Sequence, residues 1–251
     1  MIDIIMHGCN GKMGRVISEI VAKDDMVQIV AGIDPFTGIE QGYPVFAKIS
    51  ECNIKADVII DFAAAVAVDE LLEYSVSNQV PVVLCTTGLT EEQLRKVDET
   101  ATKVAILKSA NMSLGINMLL KLLKEATSIL QPAGFDIEIV EKHHNLKVDA
   151  PSGTALALAD SIKEEIKEPY EYNYDRSQVR EPRKTNEIGI SAIRGGTIVG
   201  EHDVIFAGVD EVVTFSHTAY SKAVFAKGAV QAAKFLANQK AGMYNMSDVI
   251  G

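Results

Sequence analysis
Two adjacent histidines, His143 and His144, are followed by Lys147 and then by Asp149-Ala150-Pro151-Ser152-Gly153-Thr154. Imidazole is the side chain that ordinarily changes charge between pH 5 and 8, and a nearby ammonium attracts carboxylates and donates protons. The stretch from Ala155 to Ile166 is rich in Ala and Leu and reads as a helix. Pro151 suits a tight entry to it, and Ser152 or Thr154 is placed to cap its first amides. The start of such a helix favours an anion, because its N–H groups and its dipole act in the same direction. Two titratable rings, one ammonium and an anion-binding helix start within a dozen residues predict proton chemistry on an acidic small molecule. A purely structural role for the histidines, with Lys147 as ordinary surface charge, is the competing reading.

Positioning these groups requires a strand and a helix, and Phe135–Val140 is the apolar run that feeds the histidines. Nearer the start of the chain, Ile2–Met6 is a second such run, and Gly8, Gly11 and Gly14 follow it at Gly-x-x-Gly-x-x-Gly spacing. A helical stretch, Arg15 to Lys23, leads to a further apolar run, Val27–Ile33, which closes on Asp34, 20 residues after Gly14. Strand, glycine turn, helix, strand and terminal acid is the order of a dinucleotide-binding unit. There the glycines admit a pyrophosphate and the acid meets the adenosine ribose. A tight strand-to-helix turn with no ligand would also use glycine.

Val58–Asp61, Val80–Leu84 and Val104–Leu107 are expected as further buried strands, with helices over Val66 to Asn78 and Glu91 to Thr102, the latter capped by Thr90. Several of these strands run into small or polar loops, as a parallel sheet does where its carboxyl ends face a ligand. Met112 to Leu130 reads as a long helix with Met112, Ile116, Leu119, Leu120, Leu123 and Leu130 near one face, most simply a core face. The polar stretch between Glu168 and Glu187 reads as a mostly solvated excursion. Ile188–Arg194, Thr197–Phe206 and Val209–Ser216 read as an antiparallel meander, and Lys222–Leu236 as a final helix. His202 and His217 are expected to be structural.

Composition narrows the class. A hydrophobic fraction of 47% with no Trp and 6% aromatics favours an aliphatic α/β core, and a net charge of −10 argues against nucleic acid or an anionic membrane as partner. Lys142, His143, His144 and Lys147 form the local basic island that an acidic substrate needs. Three widely spaced cysteines, Cys9, Cys52 and Cys85, suggest neither a disulfide framework nor a metal knuckle. The sequence opens directly on its first apolar run with no basic leader, and no run approaches membrane-spanning length, so a cytoplasmic location is expected.

Glu141–Ala155 reads Glu-x-His-His-x-x-Lys-x-Asp-x-Pro-Ser-Gly-Thr-Ala. In this it closely resembles the dihydrodipicolinate reductase (4-hydroxy-tetrahydrodipicolinate reductase) family of lysine and diaminopimelate synthesis. Arg194-Gly195-Gly196 and Val199-Gly200-Glu201-His202 fit the same family's later pattern, so the resemblance spans the chain. It implies a Rossmann-like nucleotide domain over about 1–110 with 219–251 packed back on it. It also implies an α+β substrate domain over about 111–218 that builds a homotetramer.

The implied reaction is hydride transfer from NADH or NADPH to C4 of a cyclic dicarboxylate, with loss of water. His143 takes the place of the family's acid/base histidine, Lys147 of its proton donor, and His144, Gly153 and Thr154 of its substrate contacts. The cofactor segments correspond to Gly8, Cys9, Asn10, Gly11, Lys12 and Met13, to Asp34, to Cys85, Thr86 and Thr87, and to Ala110, Asn111, Met112 and Ser113; no metal is implied. Cys85 stands where the family usually has glycine, Ala63 where it has Ser or Thr, and Lys222 where it has Arg, all departures that bear on cofactor affinity. A reductase of another small anionic imine or carbonyl, and a non-catalytic NAD-binding sensor, are the two alternative functions.

Overall fold
The computed structural model describes all 251 residues and divides into two compact units. One is Met1–Ser113 with Ala223–Gly251, the other Leu114–Lys222. In the first unit, β1 (Ile2–His7), β2 (Val27–Ile33), β3 (Val45–Phe46), β4 (Val58–Asp61), β5 (Val82–Leu84), β6 (Ala105–Leu107) and β12 (Gly242–Tyr244) form one parallel sheet in the order β12-β6-β5-β4-β1-β2-β3. Ile4, Ile5 and Met6 of β1 and Val58, Ile59 and Ile60 of β4 are fully buried, which is why these strands are continuously apolar rather than alternating. The helices are α1 (Lys12–Val21), α2 (Val68–Asn78), α3 (Glu91–Ala101), α6 (Ala223–Leu236) and α7 (Met246–Ile250).

Thr90 caps α3 as expected. Its hydroxyl accepts from the Gln93 amide while Gln93 reaches back to the Thr90 amide. α1 begins at Lys12 rather than Arg15, and α2 is preceded by one turn of 3-10 helix over Ala65–Ala67.

The second unit contains α4 (Leu114–Leu130), β7 (Asp136–His143), α5 (Gly153–Lys163), β8 (Glu171–Asn173), β9 (Glu187–Arg194), β10 (Gly200–Ala207) and β11 (Val212–Ala219). Its sheet has the order β11-β10-β7-β9-β8. β10 and β11 are antiparallel neighbours, but β9 pairs in parallel with β7, and β7 separates it from β10. The expected three-strand meander is therefore corrected to one hairpin plus a parallel strand. Proximity along the chain had suggested a β9–β10 pairing, but β7 lies between them and pairs with both.

The excursion after Glu168 is also more than solvated loop. It adds β8 to the sheet edge, and Arg183 bonds Asp136 at 2.7 Å and Glu138 at 3.0 Å. Ile137 and Ile139 of β7 pack with Leu158, Ala159 and Ile162 of α5, Leu119 and Leu123 of α4, and Val204 and Phe206 of β10. This apolar layer ends at Glu141, where the same face of β7 turns polar.

Candidate active site
In the first unit the glycine turn is dictated by backbone contact. Gly8 has φ +81°, and a Cβ there would lie 2.7 Å from the Phe62 carbonyl oxygen. The Gly8 and Cys9 amides both donate to the Ile33 carbonyl at 2.8 and 3.3 Å, and the Gly11 amide donates to the Gly8 carbonyl at 3.1 Å. The Asn10 amide donates to Asp34 Oδ2 and the Phe36 amide to Asp34 Oδ1, each at 3.0 Å. Amides 8 to 11 are thus spent on shaping the turn, and the amides of Lys12 and Met13, at a helix start with no side-chain cap, are the ones offered to an anion.

Asp34 lines a cavity of about 600 Å³ together with Gly8, Asn10, Gly11 and Phe36. Each of its oxygens carries one internal bond, leaving acceptor capacity for a ribose diol. A cradle that only glycine fits, an open helix start and a fixed acid at the cavity wall together fit a dinucleotide.

The other expected cofactor residues divide by what their side chains do. Cys9 is fully buried, its thiol pushed up to about 11 by burial and then by Asp34, so its side chain belongs to the core. Thr86 donates its hydroxyl to the Ala63 carbonyl at 3.1 Å. Burial, and next the charge of Asp61, hold the Cys85 thiol well above the ordinary cysteine range, which makes it a poor nucleophile. Asn111 accepts the Ser113 amide at 2.8 Å, and Met112 is buried. Sequence reasoning missed His7, Lys48, Phe62 and Ala64, which line the same cavity. For His7 the signal was available, since it is the last residue of a strand that enters the glycine turn.

In the second unit β7 delivers Glu141 and His143 to one face, because side chains two apart in a strand point the same way. Lys142 points to the other face and pairs with Glu201 at 3.0 Å and Asp203 at 3.3 Å. It is therefore removed from the expected basic island, and strand alternation is the reason. His143 Nδ1 lies 2.7 Å from Glu141 Oε2. The loop beyond carries His144 and then Lys147, whose ammonium is held by Asp149 at 2.8 and 2.9 Å. This bond holds the exposed Asp149 carboxyl below its ordinary range.

α5 starts two residues earlier than expected, because Ser152 is the cap: its hydroxyl accepts from the Ala155 amide at 3.1 Å. Gly153 then opens the helix, and nothing lies within 4 Å of where its Cβ would be. Two imidazoles, one ammonium and an accessible helix start are thus carried on one short segment.

Two family models tile this architecture: Dihydrodipicolinate reductase, N-terminus, matches residues 2–112, and Dihydrodipicolinate reductase, C-terminus, matches residues 115–250. The chain belongs to the dihydrodipicolinate reductase family. Among its curated relatives, the 4-hydroxy-tetrahydrodipicolinate reductase of Caldanaerobacter subterraneus subsp. tengcongensis is 52% identical over 250 residues, covering 100% of this chain and 98% of that protein. The enzyme of the same name from Clostridium novyi is 51% identical over 250 residues, with 100% and 98% covered. A solved structure of a dipicolinate-bound dihydrodipicolinate reductase from Paenisporosarcina sp. TG-14 superposes with a TM-score of 0.83 at 25% identity, covering 99% of both chains.

His202, one of the residues shared with the reductase pattern, is structural in its immediate bonding. It sits opposite Glu141 across the β7–β10 pair and its Nε2 lies 3.0 Å from Ser152 Oγ. Burial, and then the neighbouring His143 ring, lower its pKa from 6.5 to about 4, against a smaller opposing pull from Glu141. Above pH 6.5 the ring is neutral folded and unfolded and costs nothing. As pH falls, the unfolded chain takes up the proton first, so stability is lost progressively until about pH 4. Between pH 7 and pH 5 that loss should be on the order of 2 kcal/mol. His202→Gln should flatten the acid limb of a denaturant-melt series by that amount; an unchanged slope would assign the acid sensitivity to another group.

Proposed function
We propose that this chain is a 4-hydroxy-tetrahydrodipicolinate reductase, reducing a small cyclic dicarboxylate in diaminopimelate and lysine synthesis. The observation that carries the reading is that the family's acid/base position is filled by His143, held by a buried carboxylate beside the start of α5. In this reading Met1–Ser113 with Ala223–Gly251 is the nucleotide-binding unit and Leu114–Lys222 the substrate unit. Bound NADH or NADPH supplies a hydride to C4 of the substrate. The balance is one substrate, one reduced nicotinamide and one proton in, and tetrahydrodipicolinate, oxidised nicotinamide and water out.

The protein's part is to place the acceptor and to move that proton. The Gly153 and Thr154 amides and the Thr154 hydroxyl hold one carboxylate at the helix start, and His144 contacts the substrate. Lys147 exchanges Asp149 for the dianion and serves as proton donor, and His143 completes the proton traffic. The family resemblance implies a homotetramer assembled through the substrate-unit sheet, and exposed apolar residues on that sheet suit a covered face. The face away from α4 and α5 carries Ile193, 47% exposed, and Val212, 62% exposed. No helix is long and apolar enough to cross a membrane, and three free cysteines suit a reducing cytoplasm.

The test couples this protein to dihydrodipicolinate synthase and follows loss of reduced-nicotinamide absorbance. Signal should require both pyruvate and aspartate semialdehyde; oxidation that persists without either would refute the substrate assignment. Thr154→Val keeps shape and removes one hydroxyl. Losing a hydrogen bond to a charged group costs about 1.5–3 kcal/mol, expected mostly as a raised KM. If KM holds, the carboxylate is bound elsewhere.

On the cofactor side, Asp34 faces the ribose and is followed by Pro35 and Phe36 rather than arginine, so a 2′-phosphate should be repelled. NADH should serve at least as well as NADPH, with Lys12 and the cavity residue Lys48 as the cations that keep NADPH usable. Initial rates with each cofactor decide this, and a preference for NADPH above tenfold contradicts it.

A further inference from the structure
Glu141 has no solvent exposure, so an ionised carboxylate there must find every partner inside the protein. Arg194 supplies a fork, Nη1 to Oε2 and Nη2 to Oε1, each at 2.7 Å. The Ser152 amide donates to Oε1 at 2.9 Å, and His143 Nδ1 lies 2.7 Å from Oε2. Four donors meet the four lone-pair directions of the group. Burial alone would raise the carboxyl's pKa, but the Arg194, His143 and Ser152 bonds outweigh it and hold it below the ordinary range. A carboxylate in that state is acceptor only, so the proton of a neutral His143 ring must sit on Nδ1.

That leaves Nε2 as the lone-pair nitrogen. It faces Gly200, where a Cβ would come within 3.1 Å of it, so glycine at this position keeps the nitrogen uncovered. Arg194 Nη2 also donates to the Asp149 carbonyl at 2.7 Å, which ties the Lys147 loop to the same carboxylate. The Ser152 amide ties in the start of α5.

We propose that Glu141, locked by Arg194, is a positioning residue that fixes the tautomer and aim of His143, making Nε2 the atom that exchanges the reaction's proton. The proposal rests on the reductase reading for the identity of that proton, but its structural half stands without substrate. Arg194 has a second function in it: its charge offsets that of Glu141, so the ring is oriented by a carboxylate without facing an uncompensated anion.

Two measurements test it. The imidazole ¹⁵N spectrum of the wild-type protein, with His143 assigned through His143→Gln, should show the neutral ring protonated on Nδ1. A ring protonated on Nε2 overturns the proposal. In Glu141→Gln an Arg194 nitrogen faces both positions of the new amide, but the Oε1 position also meets the Ser152 amide, an obligate donor, while the Oε2 position meets His143 Nδ1, which can accept. The amide nitrogen should therefore take the side of His143, donating to Nδ1 and driving the proton to Nε2. In the coupled assay kcat should then fall about 100-fold or more, in the range of general acid–base catalysis, while KM and the NADH Kd stay within about threefold. Lost turnover with an unchanged tautomer, or kcat within threefold of wild type, also overturns it. If Glu141→Gln does not fold, the wild-type spectrum decides alone. A wild-type protein with no turnover would sink the reductase reading instead, and the tautomer would still be read.

Discussion
His143→Gln lowers kcat in the coupled assay by about 10²–10⁴-fold, the range general acid–base catalysis contributes, and Lys147→Met does the same. The two losses have different origins. Glutamine at 143 can keep a hydrogen bond to the Glu141 carboxylate, which accepts His143 Nδ1 at 2.7 Å, but it cannot carry a proton to or from the substrate. Methionine at 147 keeps the length of the stem and removes the ammonium, leaving Asp149, which that ammonium holds at 2.8 Å, as an uncompensated negative charge. Lys147→Met should therefore raise KM as well, through repulsion of a dianion.

His144→Gln, by contrast, should act mainly on KM. All three variants should bind NADH as the wild type does, because Asp34 and the glycine turn belong to the other unit. Titration of NADH fluorescence checks that independently of turnover. If His143→Gln and Lys147→Met both keep near-full kcat, the catalytic assignment is wrong even though membership of the family stands.

What the sequence disclosed depends on how far the deciding contacts lie along the chain. The β1–α1–β2 unit was readable because its logic is local: apolar run, glycines, helix, apolar run, acid. The segment from Glu141 to Thr154 was readable for the same reason. Strand order in the second unit was not, because β7 pairs with β9 and β10 residues about 50 to 70 positions further on, and contacts of that span leave no periodic trace. β3 and β12 have 2 and 3 residues, too short for any alternation to show.

Two misreadings could have been avoided from residues alone. Glu141 and His143 are two apart on a strand, so Lys142 between them had to face away. Ser152, already one of the two expected caps and the one that forms, puts the helix start at Gly153 rather than at the first Ala. Arg194 is different in kind. Nothing around it in sequence points to Glu141, and only the folded β7–β9 pair brings the fork to the carboxylate.

Gly14→Ala should break cofactor binding without touching any group that contacts the substrate. Gly14 is buried in the first turns of α1, and a Cβ there would lie 2.7 Å from Cys9 Cα and closer still to the Gly8 carbonyl oxygen. Both are backbone atoms, so no flexible side chain can move aside, and the helix must shift away from the turn. Overpacking of this kind costs about 1–3 kcal/mol, visible as a lowered Tm. The functional loss should be larger, because the displaced element is the helix start whose Lys12 and Met13 amides we propose as the pyrophosphate's donors. We expect the NADH Kd to rise at least tenfold, with kcat at saturating cofactor less affected. Gly38→Ala is the control, since nothing lies within 4 Å of its Cβ position and neither Tm nor Kd should change. Equal NADH affinity in Gly14→Ala and wild type would mean that the turn does not carry the phosphates, and the cofactor would have to be anchored from Asp34 and the cavity wall alone.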